Sequence, residues 1–206
     1  MTPEGVGRQN GPMDGARFRI AREDDAPVVT ALVRRAYRGP ESRAGWTTEA
    51  DLLDDERIDT DQVVGKITGP DSLVLLAEDA GGAVIGCCEL ARREGDVAYF
   101  GLFAVQPARQ GAGIGRAVLD HAADLARQLW GATRMEMTVI AQRGDLIAWY
   151  ERRGFHRTGQ HRPFPYGELV NGTALRDDLY FVVLAKDIVE RPAADESRGE
   201  RVWSGP

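Results

Sequence analysis

The stretch Val105-Gln106-Pro107-Ala108-Arg109-Gln110-Gly111-Ala112-Gly113-Ile114-Gly115-Arg116 runs an apolar strand into a glycine-rich turn and then a helix. At a helix N-terminus the first backbone N–H groups lack intrahelical acceptors, and the macrodipole adds roughly half a positive charge. The junction therefore suits an anion such as a pyrophosphate. Gly111, Gly113 and Gly115 carry no Cβ, so diphosphate oxygens can approach the main chain, and Gly115 lets the helix pack tightly on its strand. The spacing is not the phosphate loop of NTPases, which needs GxxxxGK followed by Ser or Thr. It also fails the dinucleotide fingerprint GxGxxG, whose last place holds Arg116. A turn that merely joins a strand to a helix is the plain alternative.

Upstream of this junction, Leu73 to Ala77, Ala83 to Leu90 and Val97 to Val105 are extended runs separated by Ala80-Gly81-Gly82 and Glu94-Gly95-Asp96, which predicts an antiparallel meander. Before it, Phe18 to Ala21 reads as a strand. A helix follows, with Val28, Val29, Leu32, Val33 and Ala36 at helical spacing and Gly39-Pro40 as its stop. Thr48 is read as the cap of a helix carrying Asp51, Leu52 and Leu53, and a further helix spans Thr60 to Thr68. Downstream, Ile114, Val118, Ala122, Leu125 and Leu129 mark the buried face of a helix ended by Gly131. Met135 to Ile140 is a strand, and Asp145 starts a helix with Leu146, Trp149 and Tyr150, closed by Gly154-Phe155. Phe155 to Gly159 and Tyr180 to Leu184 are the last strands, with a long Pro/Gly-rich loop, His161 to Asp178, between them.

A chain of 206 residues, 43% hydrophobic and 28% charged, is long enough to bury a real core and fits one soluble domain. Residues 17–188 are expected to form it. Residues 1–16 read as a disordered leader and 189–206 as a flexible tail poor in apolar residues. The net charge of −6 argues against a nucleic-acid binder, and no segment resembles a membrane anchor. The only cysteines, Cys87 and Cys88, are adjacent, so they form neither a disulfide framework nor a CxxC metal site, which points to a reducing cytoplasm. His121, His156 and His161 are too scattered for a metal, and none is expected.

Gln110-Gly111-Ala112-Gly113-Ile114-Gly115 resembles the Arg/Gln-x-x-Gly-x-Gly/Ala motif of the GNAT acyltransferase superfamily. The strand Leu102-Phe103-Ala104-Val105 before it and Trp149-Tyr150-Glu151-Arg152-Arg153-Gly154-Phe155 after it resemble that family too, over about residues 17 to 188. The resemblance implies an α/β (α+β) fold: a mixed, mostly antiparallel seven-stranded sheet, splayed centrally and flanked by about four to five helices. It implies acetyl-CoA in the gap, with the main chain of Phe103, Ala104 and Val105 pairing with the pantetheine arm as an added strand. Gln110, Gly111, Ala112, Gly113, Ile114, Gly115 and Arg116 would hold the pyrophosphate.

Under that resemblance Tyr150 is the candidate general acid that protonates the departing thiolate, the alternative being a core aromatic. An attacking amine must be neutral, so a base is needed. Glu89 and Glu136 are candidates, directly or through water, against the plainer reading of solvated sheet-face carboxylates. Trp46, Glu49, Phe164 and Tyr166 are assigned to acceptor recognition, or equally to pinning long loops. Two departures from the family stand out: Arg143 replaces a common asparagine seven residues before the tyrosine and is a candidate for a CoA phosphate, and Ala112 replaces a commonly basic loop residue.

The expectation is an acetyl-CoA-dependent N-acetyltransferase acting on a primary amine of a small molecule or peptide, with no nucleic-acid or membrane partner and a homodimer left open. A catalytically inactive acyl-CoA-binding sensor is the alternative from another class, and a nucleotide-binding protein is a third.

Overall fold

Three consecutive extended runs, β3 (Ser72–Glu78), β4 (Val84–Arg93) and β5 (Val97–Val105), form the antiparallel meander that their turns predict. The computed structural model describes residues 16–43, 45 and 47–189, so most of the expected leader and tail lie outside the described residues. Around the meander, β1 (Arg17–Ile20) pairs with β3, β6 (Arg134–Ile140) with β5, and β9 (Tyr180–Asp187) with both β6 and β7 (His156–Pro163). The result is a seven-stranded sheet in the order β1-β3-β4-β5-β6-β9-β7, antiparallel except for the β5–β6 pair.

Helices α1 (Ala26–Tyr37) and α3 (Thr60–Thr68) cover one face, and α4 (Ile114–Trp130) and α5 (Gly144–Glu151) pack on the other. Each face buries its own cluster. Val29, Leu32 and Val33 of α1 meet Val74, Leu76 and Cys87, while Val118, Leu119 and Ala122 of α4 meet Leu75, Leu90 and Phe100. On α4 the expected Ile114, Val118 and Ala122 are buried and Leu125 packs against the same cluster, joined by Leu119 and Ala126; only Leu129 of the expected face is half exposed. On α1, Val28 is likewise exposed, and Thr30 is buried with its hydroxyl donating to Ala26 O.

Several elements differ from the sequence reading. Gly39-Pro40 ends α1, but the same residues open a short α2 (Gly39–Ser42), since proline suits a first helical turn. The helix expected after Thr48 is absent: Thr48 Oγ1 accepts from Ala50 N in a local turn, and Leu53 joins β2 (Leu53–Asp54). Its partner is β8 (Thr173–Ala174), inside the loop read as irregular. A non-local strand pairing thus overrides a local capping preference.

The sheet forks between β5 and β6. They pair in parallel only at Val97↔Arg134, Ala98↔Met135 and Tyr99↔Glu136. At the fork, Tyr99 Oη lies 2.9 Å from Thr138 Oγ1. Just beyond it the β4–β5 register slips between Cys87 and Glu89, and Leu102 takes the left-handed conformation at φ 44°. Such a backbone costs of order 1–3 kcal/mol in a non-glycine residue. The bulge resets the alternation: Ala98 and Phe100 face α4, then Phe103 and Val105 do, while Leu102 and Ala104 face α1.

Candidate active site

Gln106 N donates to Ile85 O on the β4 side of β5. By strand alternation the main-chain groups of Phe103 and Val105 face the opposite way, into the fork. Two of those carbonyls hold the surroundings in place. Phe103 O accepts from Tyr37 Oη, and Val105 O accepts from Gln110 Nε2 at 3.1 Å. Gln110 Nε2 also reaches Thr47 Oγ1 at 2.9 Å. The side chain of Ala104 is wholly buried against α1, so only its backbone belongs to this strand edge.

The glycine turn delivers α4 to the mouth of the fork. Gly111 and Gly113 sit at φ 87° and 84°, which side-chain-bearing residues rarely adopt, and Gly113 is the N-cap. Gly115 serves another purpose: a Cβ there would lie 3.1 Å from Phe103 Cζ and 3.5 Å from the Trp149 ring. Ile114 is buried in the core and Ala112 is exposed, so these two contribute backbone to the turn. The cleft beside the turn has a volume of about 450 Å³ and is lined by Phe103, Val105, Gly113, Trp149, Arg116 and Arg153 among others.

Three arginines gather there, two of which the sequence reading did not assign. The Arg153 guanidinium lies 3.5 Å over the Trp149 ring, with Arg116 and Arg152 lining the same cleft. Burial, then the charges of Arg152 and Arg116, push the Arg153 guanidinium below its ordinary range. A pocket of mutually repelling cations at a helix N-terminus fits a polyphosphate, and it supplies the charge that Ala112 lacks. The signal was the Arg152-Arg153 pair after Tyr150, but only the fold brings it beside the turn. Arg143 is placed differently: it is buried, bonds Asp145 through Nε and Nη2 at 3.1 Å each, and donates from Nη1 to Thr47 O at 3.0 Å. It braces the start of α5 against the segment that holds Gln110.

On the other side of Phe103 lies a second cavity of about 550 Å³. Tyr150, from α5, reaches its wall and is buried against Phe103, Trp149 and Phe155. Burial pushes its hydroxyl well above the usual tyrosine pKa. Glu89 enters the same cavity from β4, buried, with Lys66 Nζ 2.7 Å from Oε2. Gly101 leaves it room, since a Cβ there would lie 3.1 Å from Glu89 Oε2 and 2.7 Å from the Tyr99 ring. Glu136 is brought elsewhere, into a neighbouring groove with Arg92 and Arg162, with its carboxylate 2.9 Å from Arg134 Nε.

Glu49 lines the cavity and is buried, 3.0 Å from Arg38 Nη1. Arg38 Nε also bonds Asp55 at 2.6 Å. Phe164 forms an apolar wall against Phe181. Tyr166 stands behind it, edge-on to Phe164, and its hydroxyl accepts from Leu179 N at 2.8 Å. Trp46 lies outside the described residues. Tyr37, Arg38, Asp55, Arg57 and Lys66 were not singled out by sequence; charges scattered over helices and loops carry no motif. Cys87 and Cys88 are buried, and burial pushes the Cys87 thiol up to about 12, which leaves both as packing residues.

The family model for the acetyltransferase (GNAT) family matches residues 33–155. The chain belongs to the GNAT family. This GNAT chain has the fold of a ribosomal-protein-S18-alanine N-acetyltransferase from Escherichia coli, at 20% identity and TM-score 0.62 over 92% of this chain and 99% of that one. It is similar also to yncA, a protein solved with acetyl-CoA from Salmonella typhimurium, at 22% identity and TM-score 0.59 over 89% and 99% of the two chains. A spermidine/spermine N-acetyltransferase from Vibrio cholerae aligns at 17% identity and TM-score 0.58, over 84% and 93%. No curated protein sequence matches this GNAT chain. Among its described residues no helix is long and apolar enough to cross a membrane.

Proposed function

We propose that residues 17–188 form an acetyl-CoA-dependent N-acetyltransferase that transfers the acyl group directly to a primary amine. One observation carries this reading: a cationic cleft at a glycine-capped helix and a carboxylate-bearing cavity meet at Phe103, beside Tyr150. Acetyl-CoA fits the first compartment, with the α4 amides, Arg116, Arg152 and Arg153 on its phosphates and the β5 edge along its arm. When bound it supplies an activated acyl carbonyl. An amine fits the second.

Tyr150 remains a phenol at neutral pH because burial disfavours its phenolate, so it holds the proton that a leaving thiolate needs. Glu89 is the cavity's base, taking a proton from the incoming ammonium directly or through water. Glu49, held by Arg38, shapes the acceptor wall with Phe164. Buried reduced cysteines suit a cytoplasmic setting.

The test is CoA thiol release across a broad amine panel. Release that requires an amine, matched by acetylated product, is the expected result. Tight acetyl-CoA binding with no transfer to any amine overturns it and favours a sensor.

A further inference from the structure

The acceptor cavity has a roof and an arginine with open hydrogen-bonding capacity, and neither is explained by amine binding alone. The roof is the β2–β8 ladder, extended by Glu56 N donating to Val170 O at 2.8 Å and Leu175 N to Leu52 O at 2.9 Å. Leu53 of β2 packs with Ile140, Phe164 and Leu179 in an apolar cluster that Ala174 of β8 joins. Gly172 lets the strands meet, because a Cβ there would run into the Asp54 carbonyl oxygen. A macromolecular acceptor needs an open groove for the residues flanking its amine. Leu53 of this ladder lines the cavity, with Asp55 and Leu169 beside it, so the residues flanking a macromolecular acceptor's amine would meet the ladder on that side.

The segment that forms the roof also turns Arg57 into the cavity. Arg57 adopts φ 70°, a left-handed conformation costly for arginine. Its guanidinium carbon lies 5.3 Å over the Tyr37 ring, whose hydroxyl bonds Phe103 O at the fork. Among the described residues the guanidinium makes no hydrogen bond; Nε is buried with no hydrogen-bond partner, and its ion pair with Glu49 Oε2 is long, at 3.8 Å. That carboxylate oxygen is already bonded by Arg38, and Asp55 is also taken by Arg38. Among the described residues the cavity's remaining charges are the Lys66–Glu89 pair and Glu168 at the exposed rim. Inside the rim the ion pairs balance. An acceptor that brings both a cation and an anion keeps that balance, with its ammonium toward Glu89 and its anion on Arg57.

We infer that the acceptor is a compact zwitterion, a primary amine that also carries an oxyanion such as a carboxylate or phosphonate, and that Arg57 binds the oxyanion. This rests on the N-acetyltransferase reading above. The test compares kcat/KM for free α-amino acids, their primary amides, their decarboxylated amines, matched aminoalkylphosphonates and ten-residue peptides. A charged hydrogen-bonded pair predicts that the acids exceed their amides by about 10- to 100-fold, and that Arg57→Gln shrinks the ratio to about threefold or less. Arg57→Lys should keep most of the preference, and thermal melting shows whether each variant is folded. A phosphonate preferred over the carboxylate supports the oxyanion site and names its better ligand. Equal use of acid and amide by the parent, a preference that survives Arg57→Gln, or peptides better than any free acid overturns the inference. If no amine is acetylated, calorimetry of the same acid and amide pairs decides. Acid binding that depends on Arg57 supports the site while the transferase reading falls; equal or undetectable binding overturns the site.

Discussion

Tyr150 and Glu89 approach the fork from opposite faces of the sheet, and each proposed role has its own pH signature. Tyr150→Phe is expected to lower kcat by about 10²- to 10⁴-fold, the usual range for a positioned acid, with little change in KM for acetyl-CoA. Because burial raises the phenol's pKa, the parent's activity should show no alkaline loss from this group until above pH 10. The linkage has the same sign: the folded state favours the protonated phenol, so its share of stability is complete below the unfolded value near 10 and lost at higher pH. Glu89→Gln should instead lower kcat/KM for the amine at neutral pH and recover as pH rises, because more of the amine is then already neutral. A pH-independent defect would remove Glu89 from the base role. The place of Tyr150, after Trp149 in a helix closed by Gly154, was legible in the sequence. Which cavity Glu89 and Glu136 each enter was not, since both are strand carboxylates and only the fork separates the two cavities.

At the level of elements, the glycine turn was readable because its chemistry is local. Left-handed φ at Gly111 and Gly113 and the free amides of α4 follow from a dozen consecutive residues. The roof was not readable: β2 and β8 are two residues each, lie far apart in the chain, and carry no periodicity. Its weak point is Gly172. Gly172→Ala forces a Cβ toward the Asp54 carbonyl and the Asp55 backbone, so the strands must part. Overpacking of this kind costs about 1–3 kcal/mol. Acceptor KM should rise more than acetyl-CoA KM, with a melting temperature several degrees lower. An unchanged acceptor KM would show that the roof does not shape the acceptor site.

Over the whole molecule, a chain with net charge −6 gathers Arg116, Arg152 and Arg153 at one cleft. Replacing both Arg152 and Arg153 by glutamine should weaken acetyl-CoA binding by about 10- to 100-fold at low ionic strength. The gap should narrow in salt, since exposed charges are screened within a Debye length of about 10 Å at 0.1 M. Binding indifferent to both substitutions would place the phosphates elsewhere. Acetyl-CoA at 100 times its Kd should stabilise the fold by about 2.7 kcal/mol, a shift readable by calorimetry.

By itself the sequence determined the meander, the glycine-capped helix, the tyrosine-bearing helix and hence the family, because strand alternation, capping and turn chemistry act between residues close in the chain. The tertiary structure alone decided the exposure of Leu129 on α4, the strut made by Arg143, the arginines around the glycine turn and the cavity that Arg57 lines. Those depend on which distant segments pack together. Such contacts are set by the sum of burial and pairing over the whole chain, and no local pattern records them.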